Sequence, residues 1–261
     1  VRLYLPKEWI NDPYRCKRAG IPESVSFQTK PQIALSLLDE AREMGISHKV
    51  VVADSAYGGD PTFLSGLEER DELYVVGVPC DFQIIPEEEI EKGIIQRADR
   101  ALSKLPKSKW RTIRWREGTK GWLRKKFVAI RAYRVVGKDR LQLGWLIGER
   151  PARGQSGEWK YYFSNLPNDA PLAKMVEFAH RRWHIEQFHE EAKQELGWGD
   201  YQGRLWTGFH RHAVLVMLTY SFLVYLEWRQ RMQRRIRGRP RSPFPLGMIQ
   251  DVCLYQRSIV K

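Results

Sequence analysis

The sequence lacks the features that mark several large classes of protein. Its 261 residues include only three cysteines, Cys16, Cys80 and Cys253. Their odd number and wide spacing fit neither a disulfide framework nor a metal-ligand motif, which predicts a reducing cytoplasm. The N-terminus has no signal-peptide pattern. No stretch reaches the ~18 apolar residues of a spanning helix, so the apolar run 213–226 predicts a buried helix and no membrane partner.

The sequence also contains fewer acidic than basic residues. The chain carries 44 Lys and Arg against 31 Asp and Glu, a net charge of +13. Such an excess predicts a polyanionic partner, most commonly nucleic acid. Residues 229–243 contain seven arginines and no acid, so we expect this stretch to be a basic tail that is disordered or bound to phosphates.

One stretch, residues 176–197, contains no proline, and its only glycine is the last residue, Gly197. This pattern predicts one helix with a C-terminal glycine cap. At ~100° per residue, five apolar side chains form one stripe. Arg182, Glu186 and Lys193 share a neighbouring sector, so they project together. A solvated helix with charge pairs explains the same spacing, and the spacing alone favours that interpretation.

A second stretch combines a continuous apolar run, residues 50–53, with Asp54 and a turn that contains Tyr57 and Gly58. The run predicts a strand buried on both faces. An acid at the C-terminal end of such a strand lies where α/β sheets place functional groups. From pattern alone, an aspartate that caps the next helix is an equally good interpretation.

Both stretches resemble the bacterial insertion-sequence transposases with an RNase H-like DDE core. The letters R-W-H-I-E-Q-F-H-x-x-x-K-Q-x-L-G are similar to that family's C-terminal catalytic helix, which carries a Tyr-Arg-Glu-Lys signature. Arg182, Glu186 and Lys193 fit its spacings, and Ala179 stands where the family has tyrosine. The letters A-D-S-A-Y-G resemble the segment that carries the family's second catalytic aspartate.

The resemblance implies roles for these residues. Asp54 and Glu186 would be catalytic ligands of Mg²⁺ or Mn²⁺, because two-metal phosphodiester cleavage uses hard oxygen ligands. Arg182 and Lys193 would hold the DNA backbone. Tyr57 would shape the loop beside the aspartate and contact DNA.

Residues 80–166 predict a mostly β insertion, which the resemblance also implies. Basic and aromatic residues alternate between 110 and 126, and include Trp122, Arg124 and Lys125. As a functional surface they would face DNA with aromatic wedges. An ordinary hairpin with solvated arginines is an equally good interpretation for any one of them.

We therefore expect an α/β, RNase H-like fold, incomplete because its first strands are missing, with a β-rich insertion before the catalytic C-terminal helix. Its expected segments are an N-terminal core part (1–79), the insertion (80–166), the catalytic helix with a C-terminal core helix (167–230) and the basic tail (231–261). Residues 1–9 predict a strand end, and residues 10–30 predict a surface loop with Asp12-Pro13 as a breaker. Residues 30–44 have helical spacing and predict a helix. Strand-like runs cover 110–115, 122–136, 141–147 and 159–164, with a turn expected at 137–138.

No acid upstream of Asp54 ends a buried strand. We therefore expect the family's first catalytic aspartate to be absent, and the chain alone to be inactive. Two functions stay open: a bacterial, cytoplasmic DNA transposase active in its complete form, or a non-catalytic DNA-binding remnant. A homodimer in the complex with DNA is a further expectation.

Overall fold

A computed structural model describes residues 1–236 except 119, 120, 137–139, 153 and 155. By its contacts the chain divides into two compact units. The helical unit comprises Val1–Met44 and the described residues from Trp183 onward, and the sheet unit is Gly45–Arg182. The four-segment division expected from the sequence stays a prediction. Its basic tail lies outside the described residues from position 237 onward, as does the turn expected at 137–138.

The helices and strands are numbered in chain order. The helices are α1 (Lys7–Ile10), α2 (Pro13–Ala19), α3 (Lys30–Glu43), α4 (Ser55–Gly58), α5 (Pro61–Glu68), α6 (Ala98–Ser103), α7 (Leu172–Arg181), α8 (Trp183–Glu195) and α9 (Trp206–Ile236). Short 3₁₀ helices cover Glu87–Lys92 and Lys107–Lys109. The strands are β1 (Val51–Ala53), β2 (Tyr74–Val78), β3 (Gln83–Pro86), β4 (Gln96–Arg97), β5 (Arg111–Gly118), β6 (Gly121–Val136), β7 (Arg140–Arg150) and β8 (Lys160–Ser164).

All eight strands belong to one sheet, in the order β1-β2-β8-β7-β6-β3-β4, with β5 paired to β6. The pair β1–β2 is parallel, as expected for strands joined through helices, and the other pairs are antiparallel. The strands predicted between 110 and 164 are confirmed, and β8 adds them directly to the edge of β2. The mixed α/β class is therefore confirmed.

Two hydrophobic cores cover the sheet. Leu146 and Ile147 are adjacent on β7 and fully buried, and their side chains point to opposite faces because strand side chains alternate. Ile147 belongs to a core with Phe178 of α7, and Leu146 to a core with Leu102 of α6. The helix α7 thus lies against the face that also carries the buried side chain of Val52 in β1, the strand before Asp54.

Two helices in the N-terminal part of the helical unit, α2 and α3, are well capped. Asp12 accepts the backbone N–H of Arg15 and caps α2, which ends at Gly20 in the left-handed conformation. Thr29 and Gln32 form a reciprocal capping box at the start of α3. The predicted helix near residues 30–44 is therefore confirmed.

The N-terminal predictions were wrong in two places. Residues 1–6 form no described strand, and Lys7–Ile10 is helical. Asp12-Pro13 was interpreted as a helix breaker inside a loop, but it opens α2. Proline at the first helical position lacks only an N–H that has no intrahelical partner, so it favours a helix start there.

Two helices, α7 and α8, stand where one was predicted over 176–197. The first begins earlier than predicted, at Leu172, and the break between them is at Arg182. The two parts pack differently: Phe178 and Ala179 of α7 are buried in the core of the sheet unit, whereas α8 packs against α9. The predicted glycine end is confirmed, since Gly197 has a φ of 66°.

The prediction that the apolar run 213–226 forms a buried helix was wrong. The run lies in α9, and over Trp206–Gln230 only 11% of the most apolar window is buried. Its apolar side chains are distributed around the whole helix, so the contact with α8 covers only one side. By length and composition alone this segment could cross a membrane, which is weak evidence because soluble helices also meet that test.

Candidate functional site

Asp54 follows β1 directly, at the C-terminal end of a fully buried parallel strand. Its side chain accepts the backbone N–H of Ala56 at 3.0 Å and caps the short helix α4. The capping interpretation is therefore observed. A carboxylate has further lone pairs beyond the one used in a cap, so this contact is compatible with metal binding as well.

Close backbone packing fixes the turn after Asp54. A Cβ added to Gly58 would lie 1.9 Å from the carbonyl oxygen of Gly77 in β2, so only glycine fits there. Tyr57 is 4% exposed, and its ring centroid lies 5.3 Å from that of Phe63. These contacts support the loop-shaping role expected for Tyr57, and its DNA contact stays a prediction.

Glu186 lies in the first turn of α8, and Lys193 lies in its last turn. Both side chains are exposed. Seven residues apart on one helix, they project from the same face. Arg182 lies at the break before α8 and belongs to the sheet unit, so its place in the same sector as Glu186 and Lys193 stays a prediction.

Asp54 belongs to the sheet unit and Glu186 to the helical unit. Their approach to metal-bridging distance therefore stays a prediction. Within the described ranges, no group of three or more His, Cys, Asp or Glu side chains could hold a metal ion. The donor chemistry does fit, because half-exposed Asp54 and exposed Glu186 supply the hard carboxylate oxygens that Mg²⁺ and Mn²⁺ prefer.

The hairpin of β5 and β6 carries a basic, exposed surface. Arg114 lies directly opposite Arg124 in the antiparallel register, and both side chains are exposed. Like charges directly opposite each other destabilise a strand pair, so an anionic ligand would relieve a real repulsion here. Trp122, on the same strand, is 54% exposed. The expected DNA surface thus has two of its three residues at the protein surface.

Lys125, the third, has a different environment. Its ammonium group forms a salt bridge with the carboxylate of Glu149, which is fully buried. Glu149 also accepts a hydrogen bond from the hydroxyl of Tyr162 at 2.7 Å and contacts His180 Nε2 at 3.2 Å. The Glu149 cluster consists of Glu149, Lys125, Tyr162 and His180. It joins strands β6, β7 and β8 to helix α7.

His180 completes the cluster with both ring nitrogens. Its Nδ1 lies 2.9 Å from the carbonyl oxygen of Val176, and its Nε2 faces the carboxylate of Glu149. Both partners are hydrogen-bond acceptors, so the ring connects the backbone of α7 to the Glu149 carboxylate. The Trp115 ring packs against this ring with centroids 4.1 Å apart and an interplanar angle of 32°. The cluster therefore fastens the C-terminal end of α7, just before Arg182, to the sheet.

Electrostatics follow from this geometry. Burial alone would raise the pKa of Glu149, but the hydrogen bonds and charges of His180, Lys125 and Tyr162 lower this pKa to about 2. Burial and the nearby carboxylate raise the pKa of Tyr162 well above its usual value. The cluster could not be predicted from the sequence, because Glu149 lies just past the strand expected over 141–147 and its partners are distant in sequence.

Comparisons with known proteins agree with the motifs. Residues 1–122 match the family model of the DDE superfamily endonucleases. The chain is 26% identical over 179 residues to the "Probable transposase for insertion sequence element IS701" of Microchaete diplosiphon. This match covers 67% of the chain and 42% of that relative, so the chain spans less than half of the relative's length. The chain is thus similar in sequence to the DDE transposases of insertion sequences, in agreement with its motifs.

Proposed function

We propose that this chain is part of the catalytic region of a DNA transposase with an RNase H-like core. Asp54 and Glu186 would be its catalytic acids, and the reaction would cut the ends of a DNA element and join them to a target. The observation that carries the proposal is the position of Asp54, at the end of a buried parallel strand within a segment that matches the DDE family.

The chemistry that a pair of Mg²⁺ or Mn²⁺ ions supplies in such a site is activation of the attacking oxygen and stabilisation of the leaving oxygen. The chain's own residues would do the rest. The cap to Ala56 and the close packing at Gly58 fix the backbone that carries Asp54. Lys193 projects from the same face of α8 as Glu186, where its cation would bind a backbone phosphate, and we assign Arg182 the same role.

A row of exposed apolar side chains on α9 supports the expected homodimer. Leu215, Leu218, Phe222 and Tyr225 are 46–64% exposed and follow a heptad-like spacing of three and four. Such spacing places them on one seam, the pattern that lets two helices pack. We propose that a second copy of the chain covers this seam when the protein acts on DNA in the bacterial cytoplasm.

A non-catalytic DNA-binding remnant is the second candidate. It is favoured by the finding that only two acids of this chain match the family's catalytic motifs. The basic hairpin with Arg114 opposite Arg124 serves either function, because phosphate binding needs no metal.

The test is cleavage of DNA carrying the element's ends, in Mg²⁺ or Mn²⁺, by the full transposase that contains this chain. Glu186→Gln should abolish cleavage and leave DNA binding nearly intact, since the change removes one metal ligand. Asp54→Asn should do the same without unfolding α4, because asparagine caps helices as well as aspartate.

Glu190→Gln is the matched control, one turn further along α8 and equally exposed. It should cleave like the unaltered protein. Cleavage that survives Glu186→Gln would contradict the assignment of the site. Salt-sensitive DNA binding with no cleavage by any of these proteins would favour the remnant.

A further inference from the structure

Two adjoining cavities lie within the helical unit, and none of the residues assigned above lines them. The first has a volume of about 360 Å³ and is lined mainly by apolar and aromatic side chains, among them Trp9, Trp206 and Phe209. The second, about 580 Å³, shares Trp9 and Arg204 with the first. The N-terminal helices α1 and α2 thus meet the segment before α9 around these two cavities, the Trp9 recess.

The second cavity is basic. Arg15, Arg18 and Arg204 line it, and Asp12 is its only described acidic lining residue. The Asp12 carboxylate already has two partners, because it caps α2 and lies 3.5 Å from the guanidinium group of Arg15. The exposed cations Arg18 and Arg204 are therefore left without a carboxylate among the described lining residues.

Aromatic rings and guanidinium groups alternate here. Arg15 lies 5.1 Å from the ring centroid of Trp9, and Arg18 lies 5.7 Å from that of Tyr14. Tyr14 is 71% exposed, which gives a stacking partner open access. Flat rings beside fixed cations are the combination by which proteins hold a base and its phosphate together.

We propose that this recess binds an unpaired nucleotide of a DNA strand, with the base in the aromatic cavity and the phosphates on Arg18 and Arg204. The inference rests on the proposed function for its choice of DNA as ligand. An unpaired nucleotide fits better than a duplex, because stacking on Trp9 needs a free base face that a paired base does not offer.

The experiment compares a fluorescein-labelled single-stranded oligothymidine with a duplex of equal length, by fluorescence anisotropy at fixed salt. Trp9→Ala should weaken single-strand binding about tenfold or more, as expected for loss of one base–aromatic stack, and change duplex binding much less. Trp9→Phe should restore most of the loss, since it keeps a ring. Arg18→Gln should weaken single-strand binding several-fold.

Lys17→Gln is the matched control, because Lys17 is exposed on the same helix, α2, but does not line either cavity. Single-strand affinity unchanged by both Trp9→Ala and Arg18→Gln would overturn the proposal, as would equal losses on single strand and duplex. If duplex binding persists in those cases, the proposed function stands without this site. Failure of the unaltered protein to bind any DNA would overturn both.

Discussion

Replacing Glu149 by glutamine tests whether the Glu149 cluster stabilises the sheet unit. Glutamine keeps the size of the side chain but removes the negative charge that faces Lys125 and His180. The Lys125 ammonium group and the His180 ring would then lie beside a neutral amide, at a position where the Glu149 side chain is fully buried. Removing one partner of a buried charge pair is strongly destabilising, because the remaining charge is uncompensated.

The size of the effect follows from the pKa. The pKa of Glu149 is about 2 in the folded chain, against an ordinary value of 4.5. That difference corresponds to ~3 kcal/mol of folding free energy at neutral pH. Because the folded pKa is the lower one, this stabilisation is complete above the ordinary pKa. It is lost as pH falls through about 5 toward 2.

The assay is urea unfolding followed by circular dichroism at pH 7 and at pH 3, with hydrogen exchange of β6 to β8 to assign the change to the sheet unit. Glu149→Gln should lower the free energy of unfolding by ~3 kcal/mol at pH 7 and by less at pH 3. The control, Glu117→Gln, changes an exposed acid on the nearby strand β5 and should stay within ~0.5 kcal/mol. A Glu149→Gln protein as stable as the control, with an unchanged pH dependence, would refute the reasoning.

Three further outcomes are expected. Gly58→Ala should destabilise the sheet unit by ~1–3 kcal/mol or more in urea unfolding, because its Cβ would meet the Gly77 carbonyl at 1.9 Å; Gly199→Ala, with open space around it, should not. Replacing both Arg114 and Arg124 by glutamine should reduce the slope of log affinity against log salt by about 2 in DNA titrations, an effect absent from Arg100→Gln. Leu218→Glu should dissociate a dimer in light scattering, and a dimer that persists would exclude the α9 seam.

The strands of the sheet could be predicted because their signals are local. The continuous apolar run before Asp54 and the alternating residues after 110 each carry a strand pattern that needs no tertiary information. The same holds for α3, whose capping pair Thr29 and Gln32 lies within four residues. A helix or a strand could therefore be predicted correctly where the local pattern of apolar residues matches the side chains that are buried in the folded chain.

The errors arose where distant partners decide the outcome. The break at Arg182 follows from α7 and α8 packing against different elements, which helical periodicity does not encode. The salt bridge of Lys125 with Glu149 could not be predicted, because it depends on the register of β6 against β7; the DNA contact of Lys125 stays a prediction. The recess at Trp9 joins residues about two hundred positions apart.

The candidate site itself was predicted from short motifs, and its central claim is that Asp54 and Glu186 share a pair of divalent ions. The most direct measurement is the anomalous difference density of a crystal soaked in Mn²⁺. We expect peaks within ~2.0–2.6 Å of oxygens of both carboxylates, and the loss of those peaks in Glu186→Gln. Well-ordered carboxylates separated by more than ~8 Å, too far to share two ions, or Mn²⁺ bound elsewhere, would contradict the account.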